Sequence, residues 1–196
     1  MAEFAVLASG SGTNFLALAQ GVGLPHTLSA LITDNTRAYA LVRAEELGIP
    51  STVINYRAGR ETAQERLLAL LEELDPDLIA LAGFMKILPA SIVDHFAGRI
   101  LNIHPSILPD YPGTRAIERS YADPAAAMGI TIHVVDRGVD TGPVLAQIPA
   151  DRSASGTLEE MTARIHALEH EHYPRIVRER LDAIEREGRD ALEALA

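Results

Sequence analysis

Short apolar runs alternate along the chain with longer stretches in which apolar residues recur at helical spacing. "FAVLAS" (4–9) is followed by glycines and then by "FLALAQ" (15–20). "LSALIT" (28–33) precedes "RAYALVRAEELG" (37–48), and "STVIN" (51–55) precedes "ETAQERLLALLEELD" (61–75). "LIALAGF" (78–84) leads to "PASIVDHFAG" (89–98), and "RILNIH" (99–104) follows. Short, nearly continuous apolar strands separated by helical segments predict a parallel sheet covered on both faces. Glycines in "LGIP" and "HFAGR" stand where helix C-termini need them.

The pattern therefore predicts an open doubly wound α/β sheet through about residue 109. Beyond it, "GITIHVVD" (129–136) and "GPVLAQIPAD" (142–151) read as two strands joined by "RGVDTG", an antiparallel addition. Thr157 with Glu160 three residues on forms a capping box for a long final helix, which Pro174 is expected to kink or divide. The tail "EREGRDALEALA" reads as polar or amphipathic. Neither repeats nor a linker interrupts residues 1–196, which predicts a single domain.

Charge narrows the partners. Seventeen basic residues against 27 acidic ones leave a formal charge of −10, which argues against general binding of nucleic acid or an anionic membrane. With no cysteine there is neither disulfide nor thiolate chemistry. The start "MAEFAVLASGSG" lacks a basic leader, and no run approaches the roughly 20 apolar residues of a membrane helix. A soluble, cytoplasmic protein is expected.

The stretch "ASGSGTNF" (8–15) lies between the first strand and the first helix. Glycine there permits close backbone approach, and free amides at a helix start favour an anion. Ser11, Thr13 and Asn14 add side-chain donors to Gly10 and Gly12. The dinucleotide fingerprint is incomplete, because Phe15 follows where a third glycine would be sought, and Asp34 alone is weak support for a ribose contact. A monophosphate site and a ligand-free tight turn both remain open on this pattern.

In "ILNIHPSILPDYPGT", period-two alternation puts Asn102 and His104 on one face at the carboxyl end of a strand, where open parallel sheets bind ligands. An amide N–H can donate to a developing oxyanion, and an imidazole can move a proton near neutral pH. No G-x-S-x-G elbow or cysteine supplies a nucleophile, so the pair suits an amine or hydroxyl brought by a substrate. Asp140, in "RGVDTGP", can reach His104 and hold it charged. A structural Asn–His pair is about as compatible with the spacing; the position at the strand end favours catalysis. Thr131 and His133 share a face of "TIHVVD" and are candidate site-lining residues. His166 and His170 stand one helical turn apart beside Glu169 and His172, a spacing able to bind zinc, though an exposed helix face explains it better and no metal is expected.

Five segments, "LASGSGTNF", "LAGFMKIL", "LNIHPSILPDYPG", "TIHVVD" and "VDTGPVLAQ", resemble in order and spacing those of the phosphoribosylglycinamide formyltransferases, over about residues 4 to 180. The resemblance implies a Rossmann-like formyltransferase fold and transfer of formyl from the co-substrate 10-formyltetrahydrofolate to the amine of glycinamide ribonucleotide, in de novo purine biosynthesis. It implies catalytic roles for Asn102, His104 and Asp140, and a ribonucleotide phosphate on Gly10, Ser11, Gly12, Thr13 and Asn14. Glu169 would meet the glycinamide amine. Met85, Lys86, Ile87 and Leu88, with Val135, Asp136, Val139 and Asp140, would hold the folate. The phosphate-binding half would span about 1–100 and the folate and catalytic half about 80–187. Small-molecule substrates are implied, without nucleic acid or membrane, in a monomer or homodimer.

The loop "YPGTRAIERSY" departs from the family, having Arg115 and Ile117 where histidines are frequent, and resembles that of methionyl-tRNA formyltransferase. That enzyme carries a further domain, and an acidic chain suits tRNA poorly. The alternative activity is 10-formyltetrahydrofolate deformylase, which shares much of the motif set but normally bears an N-terminal regulatory domain.

Overall fold

The computed structural model describes residues 1–154 and 156–189. Its centre is one seven-stranded sheet. Five parallel strands come first: β1 (Glu3–Leu7), β2 (Thr27–Thr33), β3 (Ser51–Val53), β4 (Leu78–Leu81) and β5 (Ile100–His104). Then β6 (Gly129–Val134) and β7 (Val144–Pro149) continue the sheet antiparallel, in the order β3-β2-β1-β4-β5-β6-β7. The doubly wound sheet and its antiparallel addition stand as the pattern predicts.

Among the described residues, six α-helices cover it: α1 (Thr13–Gly21), α2 (Tyr39–Leu47), α3 (Arg60–Leu74), α4 (Ala90–His95), α5 (Ala116–Ala122) and α6 (Leu158–Glu187). Strand alternation sends side chains to two cores. Phe4, Val6, Leu78, Ala80, Leu101 and Ile103 pack with Phe15 and Leu18 of α1 and with Tyr173, Val177 and Leu181 of α6. Leu7, Ile79, Leu81 and Ile100 face the other way, against Leu67 and Leu71 of α3 and Ile92 of α4. Fully burying one such side chain stabilises the fold by about 1.5–3 kcal/mol, so the two layers hold the sheet from both sides.

The capping box of α6 forms: Glu160 N–H donates to the Thr157 hydroxyl at 3.1 Å, and the Glu160 carboxylate accepts from Thr157 N–H at 3.0 Å. Pro174, however, does not divide this helix, which runs through it as one segment. The lost N–H leaves one helix bond unmade. Its neighbours Tyr173, Ile176 and Val177 are buried in the core, and this packing outweighs the missing bond. The ring lies against Gly21 at the end of α1, where a Cβ would come within 2.6 Å of it. The short helix α5 was not foreseen: the prolines and glycine of 105–113 obscure a pattern that begins only at Ala116. Of the tail "EREGRDALEALA", residues 190–196 lie outside the described residues. Among the described residues, no helix is long and apolar enough to cross a membrane.

Tyr173 ties α6 to the sheet. Its buried hydroxyl lies 3.0 Å from both the Leu81 carbonyl, at the carboxyl end of β4, and the Leu101 carbonyl of the neighbouring β5. Burial pushes its pKa well above the ordinary value, so it remains a neutral donor. This anchors the helix face that carries Glu169 above the strand ends.

Candidate active site

A cleft of about 590 Å³ opens over those strand ends, between the 10–14 loop, the 81–88 segment, the 135–140 loop and the α6 face bearing His166 and Glu169. Apolar side chains, among them Leu81, Leu88, Val93 and Val135, line one half, while Asn14, Asn102, His104, Asp140 and Glu169 bring polar atoms to the rest. Met85, Ile87 and Val139 are large, exposed apolar residues of its wall.

Asp140 is the hub. One carboxylate oxygen accepts from Asn102 Nδ2 at 3.2 Å; the other accepts from Gly113 N–H at 2.7 Å and lies 3.3 Å from His104 Nδ1. Burial pushes the Asp140 carboxyl up, but the Gly113 amide and His104 hold it below the ordinary value. His104 Nε2 lies 2.9 Å from the Tyr111 carbonyl. Both ring nitrogens thus face oxygens that can only accept, an arrangement the doubly protonated ring satisfies. Asp140 has φ 56°, a left-handed conformation that Asp and Asn tolerate better than most residues. The loop that carries it turns on Asp136, whose carboxylate accepts from Gly138 N–H and the Thr141 hydroxyl. Gly142 passes so close to the Val134 carbonyl that no side chain fits.

His133 joins this group from β6, directly opposite Asn102 in the sheet register. Its Nδ1 donates to the Val134 carbonyl at 2.9 Å, which leaves Nε2 to accept from Asn102 Nδ2 at 3.1 Å. That contact is shorter than the 3.6 Å to Asp140, and an amide NH2 can only donate, so Nε2 is the acceptor. The two Asn102 N–H groups are therefore aimed by Asp140 and His133.

Thr131 is a correction. Although it shares the strand face of His133, it is fully buried beneath the cleft, not on its wall. Its hydroxyl donates to the Ser106 carbonyl at 2.7 Å and accepts from Leu108 N–H at 3.0 Å. Gln147 adds a third contact at 3.2 Å. The hydroxyl is used up in holding the turn that follows β5.

On the opposite wall, Gly10, Ser11, Gly12, Thr13 and Asn14 surround the start of α1. No side chain caps this helix, so its first-turn amides point towards the cleft unclaimed. The two glycines differ. A Cβ on Gly10 would meet nothing within 4 Å, whereas one on Gly12 would stand 2.7 Å from Ala40 Cβ. With φ 71° as well, Gly12 is required by the turn and by α2, rather than by close approach of a ligand. Arg43 reaches from α2 to the Ser11 carbonyl at 2.9 Å.

Asn14 turns its side chain away from that loop. Its Nδ2 donates to Glu169 Oε2 at 3.0 Å, and its Oδ1 is buried without a partner. Glu169 also accepts from His166 Nδ1 at 2.9 Å. The sequence pattern weighs His166 only as a metal ligand; its i,i+3 spacing to Glu169 is the signal for a place in this cleft. Lys86 extends over the Tyr56 ring and pairs with Asp34 at 3.3 Å, so Asp34 meets a lysine here.

Residues 2–177 match the formyl transferase family. The chain is 36% identical over 186 residues to the phosphoribosylglycinamide formyltransferase of Bacillus subtilis, covering 92% of this chain and 95% of that protein. It is 34% identical over 177 residues to the Escherichia coli enzyme of that name, covering 88% and 84%. A solved structure of phosphoribosylglycinamide formyltransferase from Bacillus halodurans superposes with a TM-score of 0.87 at 36% identity, over 94% of this chain and 98% of that one. Glycinamide ribonucleotide transformylase 1 from Symbiobacterium toebii gives 0.86 at 34%, over 93% and 89%. With a match spanning residues 2–177, and with relatives of the same fold matched over most of their own length, this chain belongs to the formyl transferase family.

Proposed function

We propose that the protein transfers the formyl group of 10-formyltetrahydrofolate to the amine of glycinamide ribonucleotide, giving formylglycinamide ribonucleotide and tetrahydrofolate in de novo purine biosynthesis in the cytoplasm. The observation that carries the mechanism is the joining of Asn102 and His104 through one carboxylate, Asp140, with His133 bound to Asn102, on the wall of a cleft open to two substrates.

The ribonucleotide lies with its phosphate on the amides at the start of α1, where the helix dipole favours an anion. Its amine lies at Glu169 and Asn14, whose unpartnered Oδ1 is an acceptor awaiting a donor. The folate occupies the apolar half, between the 85–88 segment and the 135–140 loop. The amine attacks the formyl carbon directly. As the carbonyl π bond opens, the oxygen takes negative charge, and an Asn102 N–H turns from its protein partner to that oxygen. The amine nitrogen gives up a proton and the departing folate nitrogen gains one; His104, held beside Asp140, is placed to donate the second and then to take up the first, so it is regenerated with each turnover. All the groups assigned come from one chain, so this chemistry asks nothing of a second copy.

A formyl-transfer assay with and without glycinamide ribonucleotide tests the reading. Release of tetrahydrofolate should depend strictly on the nucleotide. Release at the same rate without it would establish a deformylase instead.

A further inference from the structure

We propose that His166 takes up the proton that the substrate's amine must lose before it attacks, so that the nucleotide is held as the free amine. The inference rests on the reading above, in which Glu169 receives that amine. An isolated carboxylate at this point would favour the wrong form: it attracts an ammonium, and an ammonium has no lone pair to give the formyl carbon.

The geometry supplies the remedy. The Glu169 side chain is 5% exposed, and one of its oxygens already serves Asn14 and His166. Among the described residues no donor meets the other oxygen, Oε1, which is left for the amine. A carboxylate only accepts, so the His166 Nδ1 that touches it carries hydrogen. The titrating nitrogen is Nε2, on a ring whose side chain is 47% exposed and lines the cleft. A proton there turns His166 and Glu169 into a neutral pair, which accepts a hydrogen bond from an amine without demanding its charge. In the step itself an ammonium N–H bond breaks and its electron pair stays on nitrogen. The proton passes through water to Nε2, and the total charge is unchanged.

The surroundings fit this assignment. The hydrogen bond to Glu169 raises the His166 pKa, burial opposes it, and the charge of Glu169 adds to the rise. His170, stacked on His166 at 6.4 Å, has its pKa lowered chiefly by burial and keeps Nε2 buried without a partner, so it is the weaker competitor for the proton. Among the described residues, Arg43 of α2 acts on the neighbouring His170, while Arg115 at the start of α5, Lys86, Asp136 and the paired His104 and Asp140 line the same cleft. Both arginines keep their charge throughout the working range.

His166→Gln separates proton uptake from mere positioning, because glutamine still donates N–H to Glu169 but holds no proton of its own. The measurement is kcat/KM for glycinamide ribonucleotide against pH, with folate saturating. Wild type should keep its rate at pH values below the amine's own pKa. The variant should be slower by roughly 10- to 100-fold at neutral pH and converge on wild type in alkali, where the amine arrives deprotonated. A uniform loss at every pH, or no loss, would reduce His166 to a hydrogen-bond donor and overturn the proposal. A second readout is independent of turnover. At a pH where the free ring is neutral, nitrogen NMR of wild type should show His166 gaining a proton when the ribonucleotide binds, but not with an analogue bearing hydroxyl in place of the amine. A ring that stays neutral with both ligands sinks the inference. If wild type formylates the ribonucleotide normally while that ring stays neutral, only this inference falls; if wild type forms no formylglycinamide ribonucleotide, the functional reading beneath it falls.

Discussion

Asn14 and Glu169 are 155 positions apart in sequence and 3.0 Å apart in space, with the amide nitrogen of one donating to the carboxylate of the other. The contact joins the first turn of α1 to the middle of α6. In the proposed reading, backbone amides of the 10–14 loop face the phosphate, while the Asn14 side chain belongs to the amine subsite.

Asn14→Ala should therefore act on the nucleotide and not on the folate. It removes a hydrogen bond to a charged, buried group, typically about 1.5–3 kcal/mol, or roughly 10- to 150-fold. KM for glycinamide ribonucleotide should rise within that range while KM for 10-formyltetrahydrofolate stays put. Steady-state kinetics with each substrate varied in turn will decide, and equal weakening of both would detach Asn14 from this role.

Asn102→Ala should slow turnover by roughly 100- to 1000-fold, the loss associated with one oxyanion donor. KM values should change far less, because the donor acts chiefly in the transition state. Retention of most of the turnover number in a folded variant would exclude Asn102 from the mechanism.

Asp140→Asn keeps the size and the tolerance of a left-handed backbone while removing the charge. Turnover should fall by about 100- to 10,000-fold, and His104→Ala should be comparably damaging. The double variant should lose much less than the product, since the two groups act as a unit. Stability supplies an independent check. The folded-state pKa of Asp140 is depressed. Its contribution is thus complete above the unfolded value of about 3.9 and is lost as pH falls through the lower folded value. The Tm advantage of wild type over the variant should shrink through that acidic window. A gap that is constant with pH would mean the carboxylate is not charged and bonded as described.

The two loop glycines should separate cleanly. Gly12→Val meets Ala40 and a positive φ, costs of about 1–2 kcal/mol for the backbone and roughly 1–3 kcal/mol for overpacking. It should lower Tm markedly. Gly10→Val enters open space in the cleft, so Tm should hold while KM for the nucleotide rises and inhibition by inorganic phosphate weakens. The opposite pattern, with Gly10 the destabilising site, would contradict the packing found here.

Much of this was legible in one dimension because it is set by neighbours in the chain. Among the described residues, apolar runs and helical spacing predict every strand and every α-helix but α5, since burial of one face imposes its period on the residues themselves. The α6 capping box is local too, as is the placing of Asn102 and His104 on one face of β5. Only tertiary packing decided the rest. Pro174 does not divide its helix, because core contacts around it outweigh one lost bond. Thr131 sits beneath the cleft although it alternates in step with His133, since period two assigns a face of the sheet but not the depth along it. Gly12 answers to Ala40, and Asn14 to Glu169, through contacts between elements whose separation carries no periodic signal. The sequence by itself determined the elements, their order and the chemistry available at the strand ends; the tertiary structure decided which of those groups meet, because hydrogen bonds at about 3 Å depend on how helices seat on the sheet.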